Sequence, residues 1–147
     1  MREVIFCFFL ISSITASGFV TQTVNVPAKI KEQFYQTFEM TSDVKWFSKG
    51  DQITVDFLNN EIRTLVTYDK RGKILQAQRY LKESDLPLNI LIKIREKYKT
   101  MKVGIISELL EEGLITYSIN LEDLQNICVV ECDSYANLKL HLKFRKQ

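Results

Sequence analysis

One histidine stands in 147 residues, His141, and that scarcity removes most nucleophilic and metal chemistry at the outset. A Ser/His/Asp or Cys/His arrangement needs a histidine held beside its nucleophile, whereas His141 sits in the alternating run Leu138-Lys139-Leu140-His141-Leu142-Lys143-Phe144-Arg145. Cysteine is scarce as well, with Cys7, Cys128 and Cys132 only. Cys128 and Cys132 fall in a segment that reads as a strand, where four residues span about 13 Å. That is beyond the roughly 7 Å that a disulfide tolerates between Cα atoms, so both are expected as small buried residues on one strand face. A zinc site on this pair would need ligands that a single histidine does not supply. The five glycines are scattered and build no phosphate-binding loop. A net charge of +2 provides no basic excess for nucleic acid. These absences lead us to expect no catalytic residues, no metal, no cofactor and no nucleic-acid partner.

Long apolar runs are also missing. The longest begins at Val4, reaches Leu10 and extends through Ile11 and Ile14, which is short of the roughly 20 residues of a membrane span. It follows Met1-Arg2-Glu3 and precedes small residues up to Gly18, the pattern of a secretory signal peptide over residues 1–18. The mature protein, residues 19–147, is then expected in the periplasm or outside the cell. Cleavage removes Arg2 together with Glu3 and leaves the charge balance unchanged.

Only two prolines are present, and each opens the same apolar pattern. After Asn25-Val26-Pro27 come Ile30, Phe34 and Phe38; after Asp85-Leu86-Pro87 come Ile90, Ile94 and Tyr98. A stripe at i, i+4, i+8 behind a proline predicts a helix with one buried face, because proline is tolerated where the first turn lacks a backbone partner. Behind each helix the period changes to two. Runs at 44–47, 52–58, 61–68 and 73–80, and again at 103–110, 114–121, 126–133 and 138–144, are rich in β-formers. Turn signals separate them, among them Asn59-Asn60, Asp69-Lys70-Arg71-Gly72 and Glu111-Glu112-Gly113. The inward set on the early strands is Ile53, Val55 and Phe57 with Ile62, Thr64, Val66 and Tyr68. The expectation is an α+β protein made of a tandem repeat, a helix plus an antiparallel β-meander (αββββ) used twice, at about 25–82 and 85–147. The helices are expected on one face of the sheet.

Val26-Pro27 with its helix, Val44-Lys45-Trp46, and Val66-Thr67-Tyr68-Asp69-Lys70-Arg71-Gly72-Lys73-Ile74 together resemble the PepSY-like family of bacterial envelope proteins, whose fold is similar to the beta-lactamase inhibitor protein. The resemblance covers roughly residues 25–145 as two consecutive copies. In the second copy Val103-Gly104-Ile105 replaces the Val-Lys-Trp strand and Ala136 replaces the turn glycine. The resemblance implies export from the cytoplasm, no known catalytic activity and the binding of a partner protein, and it supplies no set of functional residues.

Candidate contacts follow from parity. Helices on one face leave the other uncovered, and Leu58, Leu65, Leu75, Ala77, Ile127 and Val129 are expected there as an apolar patch. The last strand alternates leucine and phenylalanine with Lys139, His141, Lys143 and Arg145, suited either to protecting an edge or to an acidic surface. The expected partner-binding residues are Leu65, Leu75, Ile127, Val129, Lys139, Lys143 and Arg145. The function expected is that of an exported, non-catalytic binding protein, an inhibitor or modulator of an envelope hydrolase, whose partner is another envelope or secreted protein. The alternative is a periplasmic small-ligand carrier or sensor with a pocket between helices and sheet around Trp46, Tyr68 and Tyr117.

Overall fold

Pro27 and Pro87 each stand just ahead of a helix, with extended backbone at φ −54° and −53°. Their carbonyls accept the first helical hydrogen bonds, from Ile30 N and Ile90 N, both at 3.0 Å. Helix α1 spans Ala28–Thr37 and buries Ile30 and Phe34; α2 spans Leu88–Lys97 and buries Ile90 and Ile94. Phe38 and Tyr98, the last members of each expected stripe, fall at the helix C-caps. The computed structural model describes residues 24–146, so the expected signal segment lies outside the described residues. No described helix is long and apolar enough to cross a membrane.

Eight strands follow the helices in chain order: β1 (Thr41–Lys49), β2 (Gln52–Asn59), β3 (Ile62–Asp69) and β4 (Ile74–Leu81) after α1, then β5 (Lys102–Glu111), β6 (Leu114–Glu122), β7 (Asn126–Asp133) and β8 (Leu138–Arg145) after α2. The expectation of two helix-plus-meander units is overturned by how these strands pair. β4 and β5 form an antiparallel ladder from Gln76↔Glu111 to Leu81↔Ile106, which joins all strands into one eight-stranded sheet in the order β1 to β8. The fold is therefore one continuous antiparallel meander carrying two helices. A four-stranded unit ending at β4 would leave a central row of N–H and C=O groups without partners, and pairing with β5 removes that edge.

Register places the core. Val55, Val66, Ala77 and Leu110 lie opposite one another in succession, as do Leu81, Ile106, Ile119 and Val130. Because Ala77 and Leu81 are four apart on β4, both rows share one face. Val55 and Val66 pack with Ile30 and Phe34 of α1, and Ile106, Ile119 and Val130 pack with Ile90 and Ile94 of α2. Ala77 thus belongs to the helix-covered face, against its expected place on the open one. Cys128 and Cys132 are free thiols buried in the α2 cluster, and burial pushes the Cys132 thiol up to about 11. Burial also disfavours the reactive thiolate.

Asp69 Oδ1 accepts from Arg71 N at 2.8 Å and Lys73 N at 2.9 Å, while Gly72 takes φ +87°. The turn after β7 has the same design, Asp133 Oδ1 accepting from Tyr135 N at 2.9 Å and Asn137 N at 3.0 Å, but Ala136 occupies the left-handed position at φ +64°. A Cβ in that region costs about 1–2 kcal/mol, and glycine returns about 0.4–1 kcal/mol of that as unfolded-chain entropy. Ala136→Gly is thus expected to stabilise the protein by about 0.5–1 kcal/mol, read as a higher urea midpoint at unchanged m-value; a lower midpoint would show that the turn is not strained.

Candidate functional site: the uncovered sheet face

With both helices on one side, the alternate residues of every strand form the other surface. One row runs Asp56, Leu65, Gln78, Leu109, Thr116, Asp133 across β2 to β7, and a second runs Tyr80, Ser107, Ser118, Glu131, Lys139 across β4 to β8. Gln78 Nε2 donates to Ser107 Oγ at 2.8 Å and to the Tyr80 hydroxyl at 3.3 Å. Thr54 and Thr67 share a hydroxyl hydrogen bond of 3.0 Å. Arg63 forms a forked pair with Asp56, at 2.8 and 3.2 Å, and lies 5.7 Å from the Tyr80 ring centre. The middle of the face is a hollow of about 560 Å3 floored by Gln76, Gln78, Ser107, Thr116 and Ser118. Hydroxyls and amides line it together with Leu109 and the charged Glu131, Asp133 and Lys139, and amides donate and accept at once. Among the described residues no group of three or more His, Cys, Asp or Glu side chains is placed to hold a metal ion.

The residues expected to meet a partner divide into separate places. Leu65 lies on the open face between Asp56 and Gln78. Val129 and Ile127 lie on the same face but on β7, opposite Asn120 and Glu122. Four strand spacings, about 19 Å, separate β3 from β7, and the polar hollow fills the interval. The open face therefore has two apolar flanks around a polar centre. Leu75 sits at the register shift between β3 and β4, where Thr67 pairs Gln76 and Tyr68 pairs Ile74. Lys139 faces the open side opposite Glu131, but Val129 pairs Leu142 while Val130 pairs Leu140, so His141 is an extra residue. This bulge sets Lys143 opposite Cys128 and Arg145 opposite Asn126, on the helix-bearing side. The single positive stripe read from the sequence is split between two faces, since one extra residue inverts the parity beyond it.

Trp46, Tyr68 and Tyr117 do not share a pocket. Trp46 packs edge-on to Phe34 at 5.2 Å and Tyr68 is wholly buried in the α1 cluster, whereas Tyr117 belongs to the α2 cluster.

A polar row on the covered face escaped the sequence reading. Thr64, Arg79, Glu108 and Tyr117 lie opposite one another across β3 to β6, between the two apolar clusters. Arg79 grips Glu108 through two hydrogen bonds, Nε at 2.7 Å and Nη2 at 2.9 Å. Burial first and the neighbouring Glu108 carboxylate second push the Tyr117 hydroxyl up to about 12. The signal was available: Arg79 alternates with Ala77 and Leu81, and Glu108 with Ile106 and Leu110, so both charges carry inward parity.

An eight-stranded antiparallel meander with two helices on one side is the beta-lactamase-inhibitor-protein-like fold. Solved structures share it: a BLIP-like protein from Bacteroides fragilis has a TM-score of 0.63 and 16% identity, covering 84% of this chain and 89% of that one. A DUF2874 family protein from Bacteroides uniformis has a TM-score of 0.62 and 14% identity, covering 82% of this chain and 89% of that one. A candidate periplasmic protein from Bacteroides eggerthii matches with a TM-score of 0.62 and 10% identity, over 81% of this chain and 88% of that one. No family model and no curated protein matches the sequence.

Proposed function

We infer that this is an exported, non-catalytic binding protein that engages another envelope or secreted protein through the uncovered sheet face and modulates or inhibits an envelope hydrolase. The observation that carries the reading is that both helices pack on one side of a single sheet, and among the described residues no helix covers the opposite side of its eight strands. A polar centre with apolar margins supplies directional hydrogen bonds for specificity and area for affinity. The likeness in fold to a BLIP-like protein, together with the signal-type composition of residues 1–18, agrees with it.

Ser107→Arg/Ser118→Arg puts two long cations into the hollow without touching the core. Crosslinked capture from the native cell envelope, followed by assay of the captured protein, tests the reading. A hydrolase retained and slowed by the parent, with at least about tenfold weaker retention by the variant, is the expected result. Equal retention by the two folded proteins would remove the open face from the interaction.

A further inference from the structure

We propose that the free edge of β8 accepts an acidic, extended peptide segment as a ninth strand. Among the described residues β8 ends the sheet and is hydrogen-bonded on one side only, to β7. Edges are protected by brevity, by charged side chains and by bulges; β8 has the charges and a bulge, but it runs eight residues and keeps Leu140, Leu142 and Phe144 exposed at 48%, 43% and 54%, so its protection is partial. Such an edge offers main-chain donors and acceptors for affinity and side chains on both faces for specificity, as in strand addition.

Charge selects the occupant. β8 holds four basic residues counting His141, and no acidic one. His141 Nδ1 lies 3.2 Å from Glu131, and Lys146, just past the strand, pairs with Glu122 at 3.1 Å. Among the described residues Lys139, Lys143 and Arg145 have no carboxylate within ion-pair distance. The bulge at His141 turns Lys139 to the open face and Lys143 and Arg145 to the helix side. An incoming strand therefore meets cations on both of its faces. A second copy of this chain fits poorly, because its own β8 carries the same basic residues and no acidic one, so cations would meet cations across the new pairing. An extended segment rich in aspartate or glutamate, with apolar residues to lie beside Leu142 and Phe144, meets both demands. This surface meets the hollow of the open face at Lys139, which lines both, while Lys143 and Arg145 lie on the other side of the sheet.

The test uses labelled peptides of alternating Glu and Val, alternating Lys and Val, and polyphosphate as a polyanion without a peptide backbone. The parent is expected to bind the Glu peptide at least tenfold more tightly than the Lys peptide, more weakly as salt rises, and with slowed amide exchange at residues 138–145. Lys139→Glu/Lys143→Glu/Arg145→Glu, whose side chains are exposed, is expected to stay folded by circular dichroism and to exchange the preference. Ser107→Arg/Ser118→Arg is expected to keep the Glu peptide, which separates this proposal from the open-face reading. Equal affinity for the two peptides, absence of binding, polyphosphate binding as tight as the Glu peptide without amide protection, or a dimer of the parent protected at β8 would each overturn it.

Discussion

Phe34→Ala is expected to cost about 3–5 kcal/mol, the range for removing a large aromatic from a packed core, and to lower the melting temperature by about 10–20 °C. Phe34 has no exposed surface, and its ring meets Phe57 at 4.8 Å, Trp46 at 5.2 Å and Phe38 at 5.5 Å, mostly edge to face. Such aromatic pairs add about 0.5–1.5 kcal/mol beyond area burial. Alanine leaves a void that α1 cannot close, because its other anchor, Ile30, is already fully packed. The consequence reaches the whole chain. Trp46 is the only tryptophan, so its fluorescence reports the α1 cluster, while far-ultraviolet circular dichroism reports all eight strands. The β4–β5 ladder couples the halves, so both signals are expected to lose midpoint together in one transition. A tryptophan transition that moved down alone would show two independently unfolding units.

The seam between the clusters yields the second large effect, and its asymmetry is the decisive part. Arg79→Leu is expected to cost about 2–3 kcal/mol and Glu108→Leu about 0–1 kcal/mol, because orphaning a buried charge is costlier than orphaning one that reaches water. The Glu108 side chain is 11% exposed and that of Arg79 46%, so only the carboxylate is stranded by loss of its partner. A fully buried pair would lose about 3–5 kcal/mol; residual access to water reduces the figure here. Replacing both by leucine is expected to recover most of the loss, since the row then continues the apolar surface of Ala77 and Leu110. Urea midpoints of the two single variants and the double form the cycle. Equal costs for the two single substitutions would mean that the ion pair does not determine stability at this seam.

Local chemistry made much of this protein legible. The prolines mark both helix starts, alternation marks the inward residues of β2, β3 and β7, and Asp69 and Asp133 mark turns whose carboxylates cap their own backbone. Each is written within a few residues, where propensity and period act. Bulges were not legible, because one extra residue in a ladder is set by pairing with a neighbouring strand. Thus Leu75 and Ala77, read as members of the open face, sit at a register shift and on the covered face, and Lys139 is parted from Lys143 and Arg145.

Sequence by itself determined two helices with one buried stripe each, eight strands with their turns and the burial of both late cysteines. Tertiary structure alone decided that the eight strands are one sheet, that Arg79 and Glu108 meet at its centre, and that the open face is polar in the middle. The reason is physical: side-chain period records only which face a residue takes, whereas strand neighbours are chosen by main-chain groups that are identical at almost every position.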